Sequence, residues 1–504
     1  MNRREFLGTI GAASAFTIVP RRVLGGRGYI PPSDMILLAQ VGCGMQAQRQ
    51  VNTGFVRRPE LQFVAVVDPN RDSQGYIDWS NFGNRNRVRQ FLEDSKWAEG
   101  DSPGRGGRSG REVARYIMET HYKKQNRPAT IRAYEDFREM LEKESDIQGI
   151  INITPDHQHA NINIAALKKG KSTIAHKPVA AILYDLRRTL EASKASAGST
   201  HLLAYSNSPD RHTLAAWITG GVIGNVREVH NWTNRPFWPQ GYQEYYKSGP
   251  PVPEGFNWTL YQGPEPDRPY HPDYTFCLYR GWYAYGAGCL GDMGFYSLWQ
   301  PYRILNLGVP EWVEGRPNND AAVNDRGISN GGRVSQIGLP KASTIRWRHP
   351  ATASRPAVDT FWYDGGMKPQ TPEELFEDQE DLADEGMLII GDKGKILCDF
   401  RATNPRLIPK ARQAAFAGSI VAKDFDTTSP EDEWVNELKN KTKASKGSFE
   451  QVAPLAEAVT LANIALRVPY KRLLWDAAKM EFTNSPEANK LVRREQTRPG
   501  WELA

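Results

Sequence analysis

The sequence predicts an α/β chain in which a doubly wound parallel sheet is followed by an α+β half. Three observations carry this. Short apolar runs alternate with helix-length segments up to about residue 180. Beyond that point Trp-, Pro- and Gly-rich loops mix with strand-like runs. At 504 residues the chain is also too long for one ordinary core, which calls for two domains.

The elements follow in order. Residues 35–41 form a short apolar run ending at Gly42, as a buried parallel strand would. Residues 47–55 suit the following helix and 61–68 a second strand, completing a βαβ unit. A polar insertion spans 71–111, loosest at 104–108. Strands at 131–134 and 149–153 flank a helix at 137–144, and a helix at 162–169 precedes a strand at 172–175. In the second half, 226–232 and 343–347 read as strands, and 386–398 as a hairpin around Gly391-Asp392-Lys393-Gly394. Residues 453–466 read as an amphipathic helix. The expected division is 1–33, 34–180 and 181–504, with the final helices packing back on the first domain.

The net charge of +6 invites a nucleic-acid partner, but residues 1–27 hold five Arg and one Glu. The remainder is nearly balanced and has no basic stripe with interleaved aromatics, which excludes that class. Asn2-Arg3-Arg4-Glu5-Phe6-Leu7 resembles a twin-arginine export signal, and the apolar run at 7–19 is short for a membrane span. The expectation is therefore a periplasmic protein with no lasting membrane insertion. The four Cys show neither a Cys-x-x-Cys pair nor zinc spacing, and no metal is expected. Cys277 and Cys289 are the only near pair, and whether they meet is left open.

Three motifs carry chemistry. In Gly42-Cys43-Gly44-Met45-Gln46-Ala47, Gly42 permits the tight strand-to-helix turn and Gly44 lets backbone approach a pyrophosphate. Cys43, Met45 and Gln46 complete that loop, and Ala47 stands where a third Gly is common. Asp68 ends the next strand, 24 positions after Gly44, placed to accept from a ribose 2′-OH. This favours NAD, while the nearby Arg71 leaves NADP open.

The second motif is Thr154-Pro155-Asp156-His157-Gln158-His159 with His176-Lys177-Pro178, each following a strand. Such carboxyl ends are where open α/β sheets bind ligands. Thr154, Pro155, His157, His159 and Lys177 are expected beside the cofactor. Lys177 can also polarise a carbinol oxygen and stabilise the alkoxide. The third is Gly286 to Tyr296, where Asp292 lies amid glycines just after Tyr279-Arg280-Gly281-Trp282-Tyr283. Arg280, Trp282, Tyr283 and Asp292 suit a carbohydrate ligand; alternatively Asp292 caps a helix starting near Met293.

Together these motifs resemble the glucose–fructose oxidoreductase/inositol dehydrogenase/rhizopine-catabolism (Gfo/Idh/MocA) family, in its exported branch. The resemblance spans nearly the whole chain and continues through 476–484 and Arg498-Pro499-Gly500-Trp501-Glu502-Leu503. It implies a Rossmann domain and a C-terminal α+β domain whose large open mixed sheet mediates homo-oligomerisation. It also implies nicotinamide-dependent oxidation or reduction of a sugar-like secondary alcohol, with a cofactor held tightly and recycled.

Two positions depart from the family pattern: His176 replaces the Glu of Glu-Lys-Pro, and Tyr296 replaces a His that transfers protons. Tyr296 can take over that transfer if Lys177 lies beside it, the ammonium favouring phenolate, with His176 as an alternative imidazole; otherwise Tyr296 is an aromatic packing substitution and other residues do the work. Two other readings stand beside this one. The first is an NAD-using glycosidase or lyase working through a transient keto-sugar; the second is a catalytically degenerate member that keeps its nucleotide or sugar.

Overall fold

The computed structural model describes residues 30–76, 83–100, 107–204, 208–318, 320–323, 329–416, 428–443 and 445–503. The twin-arginine-like segment and most of the loosest stretch at 104–108 lie outside them.

Six parallel strands build the first sheet: β1 (Ile36–Val41), β2 (Leu61–Val67), β3 (Arg132–Tyr134), β4 (Gly149–Asn152), β5 (Ser172–Ala175) and β6 (Thr200–Leu202). Their order is β3-β2-β1-β4-β5-β6, the doubly wound order of dinucleotide-binding sheets. The central strands are apolar almost throughout because helices cover both faces. The chain reverses its winding between β1 and β4, and ligands bind at the carboxyl side of such a reversal.

Several elements differ from expectation. The helix after β1 starts at Met45, widens into a π-turn over Gln48–Asn52 and closes as a 3-10 turn at Phe55–Arg57. The insertion carries a small ribbon, Ser73–Tyr76 with Gly107–Ser109. Helix α1 (Arg111–Lys124) was not anticipated, because its charged residues disguise a buried face of Val113, Ile117, Met118 and Tyr122. Helices α2 (Phe137–Lys143) and α3 (His159–Lys168) match the pattern. The sheet also runs past residue 180, through α4 (Leu183–Ala195) to β6.

The second sheet is mixed, with nine strands. In chain order they are β7 (Val226–Trp232), β8 (Trp312–Pro317), β9 (Ser343–His349), β10 (Val358–Tyr363), β11 (Gly386–Gly391), β12 (Gly394–Cys398), β13 (Arg406–Ile408), β14 (Leu473–Asp476) and β15 (Glu481–Phe482). Their spatial order is β13-β12-β11-β7-β10-β9-β8-β14-β15. The hairpin read from Gly391-Asp392-Lys393-Gly394 is β11–β12.

Helix α5 (Phe449–Arg467) is buried on nearly every side rather than amphipathic. It is wedged between α4 and β8. At Gly315 of β8 a Cβ would lie 2.6 Å from the Ala465 carbonyl carbon, so only glycine lets the helix approach. The C-terminal segment does return to the first domain, but as extended chain after the short helix Pro486–Asn489. There Asn161 Nδ2 donates to the Trp501 carbonyl at 2.8 Å. Among the described residues no helix is long and apolar enough to cross a membrane. All four Cys are free and buried.

Candidate functional site

A cleft of about 580 Å³ opens at the carboxyl ends of β1, β2, β4 and β5, roofed by segments of the second half. Its floor is the Gly42 loop. Gly42 has φ +89°, and a Cβ there would lie 2.3 Å from the Ile153 carbonyl oxygen, where β4 ends. The close packing of these two strand ends therefore requires glycine. Gly44, Met45 and Gln46 line the cleft at the helix start, where the first N–H groups have no intrahelical acceptor and suit an anion.

Asp68 lines the same end. Its carboxylate accepts from the Cys43 N–H at 2.7 Å and the Asn70 N–H at 2.8 Å. Burial raises its pKa to about 6 in spite of these donors. Glu135 and Asp136, after β3, also line this end, as do Phe137 and Trp501, whose rings lie 6.0 Å apart. Arg71, which could have met a 2′-phosphate, instead reaches Glu254 at 3.2 Å and is not part of the lining.

At the other end four distant segments converge. Lys177, after β5, is 3% exposed and ion-paired to Asp292. Asp292 sits in the π-turn Leu290–Gly294 and does not act as a helix cap. It also faces Arg280 Nε at 3.2 Å. Burial acts to raise the Asp292 pKa, but Lys177 and Arg280 hold it well below the usual carboxylate range. Burial lowers that of Lys177.

The Tyr296 hydroxyl lies 3.0 Å from His176 Nε2. The expected phenolate is not favoured in this arrangement. Lys177 stands 5.7 Å from the centre of the Tyr296 ring, but its charge is taken by Asp292. Burial, then the Asp292 charge, raise the Tyr296 pKa further. Burial and the neighbouring Lys177 push His176 well below the ordinary imidazole value. Both groups are neutral at rest, sharing one proton-bearing contact.

Thr154 and Pro155 line the cleft, but His157 and His159 do not. His157 Nε2 meets the Tyr261 carbonyl at 2.8 Å and Nδ1 the Tyr285 carbonyl at 3.3 Å. The His159 ring lies between the Pro178 and Thr154 carbonyls. Both imidazoles fasten loops because main-chain acceptors surround them. Cys43 is likewise buried behind the loop, its thiol toward the Val67 carbonyl. Trp282 is fully buried and stacks on Tyr242 at 3.9 Å, so it packs the loop core instead of meeting ligand. Tyr283 also lies outside the lining.

The cleft also contains residues that the motifs did not mark, Tyr76, Arg235, Phe237, Trp238 and Arg401, and Tyr279, which stood in the aromatic run but was not singled out. The aromatic density between Trp232 and Trp299 signals some of them without saying which face inward. Arg401 had no sequence signal. Asp156 acts from behind the lining, accepting from the Tyr279 hydroxyl and the Ala287 N–H, each at 3.0 Å. It ties the loop after β4 to the aromatic segment.

Comparison with known proteins agrees with this architecture. Residues 110–218 match the Gfo/Idh/MocA oxidoreductase family model for the NAD-binding Rossmann fold, and residues 219–306 match its C-terminal alpha/beta domain model. No curated protein matches the sequence. Among solved structures, the WlbA dehydrogenase of Bordetella pertussis, in complex with NADH and UDP-GlcNAcA, is 13% identical with a TM-score of 0.50. That match covers 88% of this chain and 99% of the other. The aldose-aldose oxidoreductase of Caulobacter crescentus, complexed with glycerol, is 12% identical with a TM-score of 0.49, covering 88% and 100%. At 13% identity the likeness to the WlbA dehydrogenase bears on fold alone. The two adjoining family matches, which together cover residues 110–306 and include Lys177, Asp292 and Tyr296 but not the Gly42 loop, support an NAD-binding oxidoreductase of the Gfo/Idh/MocA family.

Proposed function

We propose that this chain is an NAD-dependent oxidoreductase acting on a secondary alcohol or ketone of a sugar or glycoside. The observation that carries the proposal is the meeting of Lys177, Asp292, Tyr296 and His176 in the cleft floored by the Gly42 loop. The Gly42 cradle, the free N–H groups of the helix start and Asp68 fit a dinucleotide. When bound, the nicotinamide supplies the two-electron acceptor or donor. Three carboxylates at that end, with Arg71 turned away, favour NAD over NADP.

The chain's own groups handle the substrate oxygen. The Lys177 ammonium donates to that oxygen and stabilises negative charge on it as the alcohol loses its proton. Asp292 holds Lys177 in place, and its charge opposes the lowering of the Lys177 pKa by burial. Tyr296, kept protonated, is the donor toward a ketone oxygen. In oxidation the substrate hydroxyl passes its proton to the Tyr296 oxygen while the Tyr296 proton moves to His176 Nε2 across 3.0 Å. In reduction the same relay runs from the protonated imidazole through Tyr296 to the ketone oxygen.

This phenol–imidazole pair also favours a second reading, in which it takes a carbon-bound proton next to a transient keto group and so allows elimination of a glycosidic group. The twin-arginine-like segment supports periplasmic export, where scarce free nucleotide calls for a tightly held, recycled cofactor. The outer face of the second sheet, with Phe361 stacked on His230 at 4.4 Å, suits homo-oligomerisation.

The test is denaturing release and mass spectrometry of nucleotide from purified protein, followed by a glycoside screen in both redox directions. Bound NAD(H) with turnover of a sugar is expected. Absence of both nucleotide and NAD affinity overturns the reading, whereas aglycone release without net NADH change favours the second.

A further inference from the structure

The reacting end of the cleft carries more positive charge than its fixed anions neutralise. Arg49, Lys177, Arg235, Arg280 and Arg401 all line it. Arg235 is paired with Glu385, outside the lining, and Lys177 and Arg280 share the single carboxylate of Asp292. Arg49 and Arg401 are exposed and have no carboxylate partner among the described residues.

The two unpaired guanidiniums come from opposite walls. Arg49 lies on the π-turn that follows the Gly42 loop. Arg401 follows β12 in the second half, and its guanidinium sits 4.7 Å from the centre of the Tyr296 ring. Its backbone is anchored, since the Arg401 carbonyl accepts from the Arg211 guanidinium at 3.1–3.2 Å. Both guanidiniums line the same cleft as Tyr296, and their charges act to lower the pKa of its hydroxyl. Planar guanidinium forks match carboxylate and phosphate oxygens.

We propose that the substrate is an anionic sugar, whose carboxylate or phosphate is held between Arg401 and Arg49 while its neutral hydroxyl face meets Lys177 and Tyr296. This rests on the oxidoreductase reading for the identity of the site, but its test is separate. The full chain is first titrated with NADH by fluorescence. Calorimetry then compares glucuronate, galacturonate and glucose 6-phosphate with glucose and galactose, with and without NADH.

At least one acidic sugar is expected to bind about tenfold or more tightly than its neutral counterpart, with affinity falling as salt rises. Arg401→Gln and Arg49→Gln are each expected to erase most of that preference and leave NADH affinity intact. The stronger of the uronates and the phosphate identifies which anion is used. Failure of NADH to bind sinks the oxidoreductase reading and leaves the sugar arm to be read alone. Equal binding of acidic and neutral sugars, binding of none, or Arg variants that keep the full preference overturns the anionic substrate.

Discussion

The nucleotide end and the reacting end of the cleft are assembled differently. At the nucleotide end, main-chain groups of one βαβ unit do most of the work: Gly42 at φ +89°, the N–H groups after Gly44, and Asp68 at the end of β2. At the reacting end, side chains from residues 176–177, 235–238, 279–296 and 401 meet across both halves. A local turn is specified by a few adjacent residues, while a converging cluster depends on every element packed behind it. Damage should therefore separate, with substitutions at one end sparing the other.

Lys177→Ala is the strongest test of that separation. It is expected to lower kcat/KM on an identified substrate by about 10²–10³-fold, the scale of one lost oxyanion-stabilising donor. NADH affinity, read by fluorescence titration, should hold; its collapse would show that the two ends are one unit. Tyr296→Phe should cost roughly 10–100-fold in kcat, at or below the usual range for acid–base groups because His176 stands behind it. An unchanged kcat with a flattened pH profile would instead pass the proton role to Lys177.

Gly42→Ala acts at the other end. A Cβ there meets the Ile153 carbonyl on a left-handed backbone, so a loss of about 1–3 kcal/mol in stability is expected by denaturant unfolding. NADH binding should weaken with it, while any sugar affinity measured without nucleotide survives.

A smaller, pH-dependent effect belongs to Asp68. Its folded pKa of about 6 lies above the value of an exposed carboxyl. Its contribution to the stability of the nucleotide-free protein is complete below that exposed value and is lost as pH rises through about 6. Accepting from ribose hydroxyls needs the ionised form, so NADH affinity should weaken by up to about tenfold per unit as pH falls below 6. Asp68→Asn should flatten both profiles.

The smallest effect is expected from Tyr283→Phe. Its hydroxyl is buried, has no hydrogen-bond partner among the described residues and lies outside the lining. The sugar KM should move by less than about twofold, and a larger change would return Tyr283 to the site.

The sequence was most legible where structure is local. The run ending at Gly42, the strand at 172–175 and the hairpin at Gly391-Asp392-Lys393-Gly394 all lie where alternation and turn chemistry put them. Helix α1 escapes the pattern because its buried face is diluted by eight charged or polar neighbours, and α5 reads as half-exposed because burial on its outer side comes from α4, more than 250 residues away in the chain. Within the site, Lys177 and Asp292 stood in recognisable motifs. Arg401 did not, and His157 and His159 looked chemical only because carbonyls that surround them are invisible in sequence.

By itself the sequence determined the order of strands and turns, the glycine-dependent nucleotide loop and the residue types present at the reacting end. These follow from backbone sterics and hydrophobic period, which act over a few residues. Tertiary structure alone decided that Asp292 takes the charge of Lys177, that Tyr296 stays a neutral phenol against His176, and that Arg401 faces the cleft. Those outcomes depend on burial and on distances between groups far apart in the chain, and a pKa or an ion pair is a property of the assembled surroundings.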